Sequence, residues 1–237
     1  CHTAGSEDKN VSSVEGGTPN ITVDFRVMIH KIHNGSHLPS VLGVTTTAGG
    51  ARDYAATAAP YKIVGYSNSI HDFSTIGFPV MPSAYAAYLY DTAGTTYQGV
   101  AGNGPMPKDI GFSALTSGQK LMEDTMRTGV VSCGVCHGDP DGSGSLTAPS
   151  QGDVAYEQPT RRACGSCHDD VVWANPYTAN GQTMAVQAND SGCVVCHTSS
   201  GTALSVEDAH THPWTNSTFN TGVNVTVTAA CTARPWT

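Results

Sequence analysis

The chain has 237 residues, of which 39% are apolar and only 7% aromatic, with 26 glycines, 13 prolines and a formal charge of −8 on 11 Lys+Arg. That length allows one large domain or two small ones, while so few large side chains leave little for a core and so much glycine and proline predicts turn and loop. The acidic balance disfavours nucleic acid and anionic lipid as partners, and no run of 18 or more apolar residues is present to cross a membrane as a helix.

In chain order, the first landmark is Cys1-His2, whose meaning depends on a pattern repeated further on. The next is Asp24 through Gly35. Phe25, Met28, Ile29 and Ile32 keep the i, i+3, i+4, i+7 spacing of an amphipathic helix, with Asp24 placed as N-cap and Asn34-Gly35 as the stop. His30 and His33 lie three apart on that helix, so they share a face and cannot take opposite sides of one iron. Each can cap a different iron. His37 follows the stop in a polar turn and reads as solvated. His71, in Ser69-Ile-His71-Asp72-Phe73, has apolar flanks and an acidic neighbour able to orient its ring, which makes it a candidate distal ligand, the rival being a satisfied core histidine.

A short helix is expected near Pro82–Tyr90, followed by loop to Pro107. A second runs from Thr116 or Ser117 to Arg127, with Thr116 and Gln119 spaced as a capping box and Gly129 as the stop. Then come three copies of one pentapeptide: Cys133-Gly-Val-Cys136-His137, Cys164-Gly-Ser-Cys167-His168 and Cys193-Val-Val-Cys196-His197. Cys-x-x-Cys-His is the attachment signature of c-type haem. Cysteines three apart on a helical turn lie on one face and can form thioethers with the two porphyrin vinyl groups, and the next histidine becomes the proximal iron ligand. A zinc ribbon needs no histidine after each Cys-x-x-Cys pair, and a thioredoxin-like site would be single and lie in a βαβ pattern. Asp139-Pro-Asp141-Gly-Ser-Gly lacks the ligand ladder and terminal glutamate of a calcium loop. After the third motif, His210 and His212 offer a further distal ligand, with His210 preferred.

The pattern gives Cys1-His2 its meaning. It reads as the end of a fourth motif, against the rival of a lipidated N-terminal cysteine. Three haem c groups follow from the complete motifs and a fourth from the half motif. Four proximal histidines (His2, His137, His168, His197) then match four distal ones (His30, His33, His71, His210). Near the C-terminus Val223, Val225 and Val227 alternate with polar residues as in a half-buried strand, which needs a partner: the segment near Thr18–Val23, a neighbouring molecule or a following domain. Cys231 lies outside any motif. Six Asn-x-Ser/Thr sequons begin at Asn10, Asn20, Asn34, Asn189, Asn216 and Asn224.

The expected fold is a multihaem cytochrome c, mostly loop with short α-helices wrapped around haems and little β beyond the C-terminal strand. The haem module spans 1–213 and the strand segment 214–237. Haem c attachment takes place outside the cytoplasm, so the chain is expected to be exported, its signal peptide removed or the chain itself cut from something longer.

Several stretches carry a family likeness. Val23-Asp-Phe-Arg-Val-Met-Ile-His30-Lys-Ile-His33-Asn-Gly35 with Leu38-Pro-Ser-Val41, Tyr61 through Tyr66, His71-Asp-Phe-Ser74, Phe78-Pro79, Arg162 through Val171 and Ala209-His210 together resemble the outer-surface decahaem cytochromes of the OmcA/MtrC family. In that family a Cys-x-x-Cys-His commonly precedes the Met-Ile-His-Lys-Ile-His helix, which favours the half-motif reading of Cys1-His2. The resemblance implies bis-histidine haems in a close chain that passes electrons to extracellular acceptors such as oxidised minerals, shuttles or partner cytochromes. Three complete motifs and a long stretch from Met81 to Val131 depart from the family pattern, so one small haem module carries over and the decahaem architecture does not.

Two functions therefore compete. One is extracellular electron transfer without catalysis, the partners being other haem proteins or copies of the chain, as a filament-forming cytochrome or a module of a larger surface cytochrome. The other is a multihaem reductase with one open-site haem acting on a small substrate such as nitrite, which needs fewer distal histidines than haems.

Overall fold

The computed structural model describes residues 2–8, 15–77, 114–128, 134–138, 147–179, 182–202 and 205–210. The sequence-expected helix at 82–90, the loop at 139–144, the strand at 223–227, and Cys1, Cys133, His212 and Cys231 lie outside these residues.

Among the described residues, regular structure is sparse. The first helix, α1 (Phe25–His33), begins as its sequence dictates: the Asp24 carboxylate accepts from the Arg26 amide at 3.1 Å, and the Asn34 amide closes the last turn on His30 O at 2.9 Å. Gly35 is required at the stop because a Cβ there would stand 1.9 Å from the Phe73 carbonyl oxygen. The buried stripe differs from the expected one. Met28 and Ile32 pack on the core and Val27 is buried, whereas Phe25 is 53% exposed. One turn of 3₁₀ helix (Gly35–His37) then leads into α2 (Pro39–Leu42).

Three antiparallel hairpins follow the pattern of short apolar-polar runs. Strands β1 (Thr45–Thr46) and β2 (Arg52–Asp53) pair Thr45 with Asp53; β3 (Lys62–Val64) and β4 (Ile70–Asp72) pair Ile63 with His71; β5 (Tyr177–Ala179) and β6 (Gln182–Met184) pair Thr178 with Thr183. A parallel bridge from Ala51 to Thr178 ties the first hairpin to the third. Strands of two or three residues have little stability of their own. Even so, they are more strand than the sequence announced.

The core is small: Ile21, Leu38, Tyr61 and Ile63, with Met28, Ile32, Val41 and Phe73 packed against it. It sits under α1 and fixes the face on which His30 and His33 stand. The segment near Thr18–Val23 bonds to its own neighbours, Thr18 N donating to Lys62 O at 3.0 Å while Glu7 bridges Thr22. The remaining helices are α3 (Ser117–Thr128), α4 (Gly134–His137), α5 (Val154–Glu157), α6 (Arg161–Cys164), α7 (Ser191–His197) and α8 (Val206–His210). The expected capping box starts α3, with Thr116 N donating to Gln119 Oε1 at 2.9 Å and Gln119 N to Thr116 Oγ1 at 3.3 Å. No described helix is long and apolar enough to cross a membrane.

Candidate functional site

Short helical turns present each pentapeptide. In the second motif His168 N and Cys167 N both donate to Cys164 O, at 2.9 and 3.1 Å, so the two cysteines share a face with the histidine directly after them. The third motif lies within α7 and the described part of the first within α4. None of the five described cysteines is in a disulfide. Burial pushes the Cys164 thiol up to about 11, and the nearby Cys193 thiol adds to it, so the second and third attachment sites are neighbours.

Four of the described histidines share one arrangement. His30 Nδ1 meets Arg26 O at 2.5 Å, His33 Nδ1 meets Ile29 O at 2.8 Å, His210 Nδ1 meets Val206 O at 2.6 Å, and His2 Nδ1 meets Val23 O at 3.0 Å. A carbonyl can only accept, so each Nδ1 carries a proton, and in the neutral ring it is Nε2 that offers a lone pair. That is the tautomer a metal-ligating histidine requires, with its outer nitrogen held by a second partner.

Two pairs of rings lie at a telling distance from each other. His30 and His137 have ring centres 6.1 Å apart and planes 14° from parallel; His168 and His210 are 6.4 Å apart with planes at 63°. One metal ion bonded to two imidazoles at ordinary metal–nitrogen lengths sets their centres about 6.3 Å apart. Both pairs match that spacing, and each joins the histidine of a Cys-x-x-Cys-His motif to a distal candidate. The residues present therefore fit a haem iron capped on both sides.

The surroundings favour the neutral, ligating form of these rings. Desolvation and the neighbouring His30 lower the pKa of His137. His168 is exposed by area, yet protein atoms crowd its ring; that desolvation, with His210 beside it, lowers its pKa to about 4. Desolvation lowers His210 too, against the helping bond to Val206.

Compared with known families, the chain matches the outer membrane cytochrome MtrC/MtrF-like family, domains II/IV, over residues 1–211. It belongs to that family. Among solved structures, the crystal structure of the outer membrane decahaem cytochrome OmcA matches with 21% identity over 84% of this chain and 17% of that one, at a TM-score of 0.36. The chain thus spans about a sixth of that cytochrome's length, and at this score the likeness carries no structural argument. No curated protein matches.

In this MtrC/MtrF-like chain the second motif is the hub. On its N-terminal side Arg161 bonds Asp190 at the head of α7 (Nε to Oδ1, 2.8 Å), and Arg162 reaches Asp24 at the head of α1 (3.3 Å). On its C-terminal side Asp169 pairs with Lys31 of α1 at 2.5 Å and accepts from Ser40 N and Oγ, while Asp170 accepts from Arg52 at 3.0 Å. Ion pairs thus hold both ends of α1 against the second motif. The first motif is held by rings: Tyr156 stands edge-on to His137 at 6.3 Å and donates its hydroxyl to Gly138 O at 3.3 Å.

The histidine candidates fare differently. His197 is exposed and close enough to His210 to act on it electrostatically. His71 lies exposed on β4, its Nε2 sharing a hydrogen bond with Ser69 Oγ at 3.0 Å and its ring against Phe73 at 6.4 Å. His37, read from sequence as solvated, is half-buried; its Nδ1 donates to Thr125 O of α3 at 2.7 Å, in the same arrangement as the distal candidates. The spacing of His33 and His37, one helical turn apart, was the signal available for it. Asn34, which begins one of the sequons, is 2% exposed, with Oδ1 buried and without a hydrogen-bond partner, which leaves no room for a glycan.

Proposed function

We propose that this chain is an electron-transfer module of the cell exterior, carrying haem c groups each capped on both faces by histidine. The observation that carries the reading is the pairing of His30 with His137 and of His168 with His210 at 6.1 and 6.4 Å. When bound, haem supplies a one-electron iron couple. The protein's part is to hold both axial positions, leaving no site for a substrate; this favours conduction over a reductase. Cys133 and Cys136, Cys164 and Cys167, and Cys193 and Cys196 attach three haems, with His137, His168 and His197 as proximal ligands. Cys1 and His2 serve a fourth. His33 caps a different iron from His30, supported by its bond to Ile29 O. His71 completes the distal set once its Nε2 leaves Ser69.

The haem module spans 1–213, loops and short helices wrapping the porphyrins, with 214–237 as a C-terminal strand segment that starts a further domain or makes an inter-subunit contact. The match to domains II/IV of a larger cytochrome supports a module of a surface protein over a self-assembling filament. Its partners are neighbouring haem proteins and extracellular acceptors. The test is intact mass with a pyridine haemochrome count on the attached protein, together with CO addition to the reduced form. Four haems and no CO-binding fraction are expected. One haem per chain that binds CO would replace this reading with the reductase.

A further inference from the structure

The helices that carry the second and third motifs begin at one joint. Arg161 is the first residue of α6, and Asp190 is the N-cap of α7. Arg161 donates its amide and its Nε to Asp190 Oδ1, at 3.0 and 2.8 Å. Its Nη1 donates to Gln187 O at 3.1 Å and to Ala188 O at 3.0 Å. One residue thus gathers the whole turn that leads into α7. The bonds from Arg161 lower the Asp190 pKa, so the carboxylate end of the joint is ionised at neutral pH.

A second connection runs beside the first. Trp173 O accepts from Gln187 N at 2.9 Å, and a Cβ built on Gly165 would meet the Trp173 indole nitrogen at 3.4 Å. Gln187 also packs on Gly192 at the head of α7, where a Cβ would stand 2.5 Å from its Oε1. Gly165 directly follows Cys164, and Gly192 directly precedes Cys193. The cysteines are placed alike about the joint: Cys164 follows Arg161 by three residues and Cys193 follows Asp190 by three, roughly one helical turn on each side. Cys193 lies close enough to act on the Cys164 thiol, and at the ligand end His197 acts on His210.

We infer that Arg161 is a positioning residue that locks the second attachment helix to the third, so that the haems on Cys164/Cys167 and Cys193/Cys196 form one electronically coupled pair. The inference rests on the reading of both motifs as haem attachment sites. Two thioethers and an axial histidine make a haem one body with the helix that carries it. A bond between the two helix heads therefore fixes one porphyrin against the other, and electronic coupling falls steeply as they part. The side chains are 32% and 45% exposed for Arg161 and Asp190, so their charges are screened and the hydrogen bonds hold the joint.

The experiment is Soret circular dichroism of the fully haem-loaded protein, with the haem count taken by pyridine haemochrome. Two coupled porphyrins give a bisignate Soret band, whereas a change in one haem's own surroundings alters a band of single sign. Wild type should show the bisignate band. Arg161→Ala and Asp190→Ala approach the joint from its two sides, and both should remove the same bisignate component with the haem count unchanged. Asp190→Asn keeps the Oδ1 acceptor and should retain that component. Arg162→Ala deletes the same charge one residue along, on a side chain that reaches Asp24 instead, and should also retain it. A component that survives both alanine variants, or that Arg162→Ala removes as fully, overturns the positioning role. Loss of either haem from both alanine variants overturns it too, because the joint would then serve attachment and not spacing. A wild type that carries both haems without a bisignate band overturns the coupled pair and leaves the attachment reading standing. A wild type lacking haem at either motif overturns that reading itself.

Discussion

Residues 134–138 and 161–170 carry the same kind of pentapeptide yet are held by different physics. The second motif is strapped by charge: Arg161 to Asp190, Arg162 to Asp24, Asp169 to Lys31 and Asp170 to Arg52. The described part of the first rests on rings, His137 facing His30 almost in parallel and Tyr156 standing edge-on. The pentapeptide decides what is bound, and its flanks decide how firmly and in what field. Arg-Arg before the second motif and Asp-Asp after it reach four other segments, so this motif sets where its neighbours sit.

The largest break in that comparison comes from removing one ligand on each side. His210→Ala should abolish the strongly axial low-spin EPR signal expected of the crossed His168/His210 planes and leave one haem per chain able to bind CO, with the rhombic signal of the near-parallel His30/His137 pair intact. His30→Ala should do the reverse. EPR with CO difference spectra reads both; loss of both signals in either variant would show that the two pairs are not separate sites. Next in size is the strap itself. Asp169→Ala leaves Lys31 and the Ser40 amide without their buried partner, a change that costs about 3–5 kcal/mol. Thermal unfolding of the haem-loaded protein should show it, and a loss under 1 kcal/mol by denaturant titration would remove the strap from the account.

Much of the site was legible because it is local. A pentapeptide specifies its own turn, and Asp24, Thr116 and Gln119 each acted as the caps their spacing promised. The side on which His30 stands followed from helical period alone. What stayed hidden is non-local. Nothing near Arg52 in sequence announces that Glu123 and Asp170 will meet on it, because those contacts span 71 and 118 residues. The ring pairing of His30 with His137 was equally out of reach, and His37 looked solvated only because Thr125, its partner, lies 88 residues on.

A smaller effect tests the charged side by pH. Asp24 is held well below the usual carboxylate range, first by the Arg26 guanidinium and against the opposing effect of burial, with the Gly5 amide helping. Its folded pKa is depressed, so its contribution is complete above the ordinary carboxylate pKa and fades as pH falls towards the depressed one. Asp24→Asn keeps a helix cap but loses the ion pairs with Arg26 and Arg162. The stability gap between wild type and variant should therefore be constant near neutrality and close only in strong acid. A gap that instead widens below pH 4 would reverse the sign argument.

The smallest expected effect lies on the ring-held side. Tyr156→Phe keeps the edge-on ring at His137 and removes only the hydroxyl that bonds Gly138 O at 3.3 Å. That bond is long, and a neutral bond of this kind contributes about 1 kcal/mol or less. Stability should fall by no more than that, and the reduction midpoint of the rhombic signal should not move, because no charge has changed. The ring is the part that matters. Tyr156 is 6% exposed, and Tyr156→Ala opens a cavity against His137, costing about 3–5 kcal/mol. It should also broaden the rhombic EPR signal, since His137 would then be free to rotate about its iron bond. An unchanged spectrum in Tyr156→Ala would mean that the His30 pairing alone fixes the ring plane, and the contrast between a charge-held and a ring-held motif would narrow to the bonds on α1.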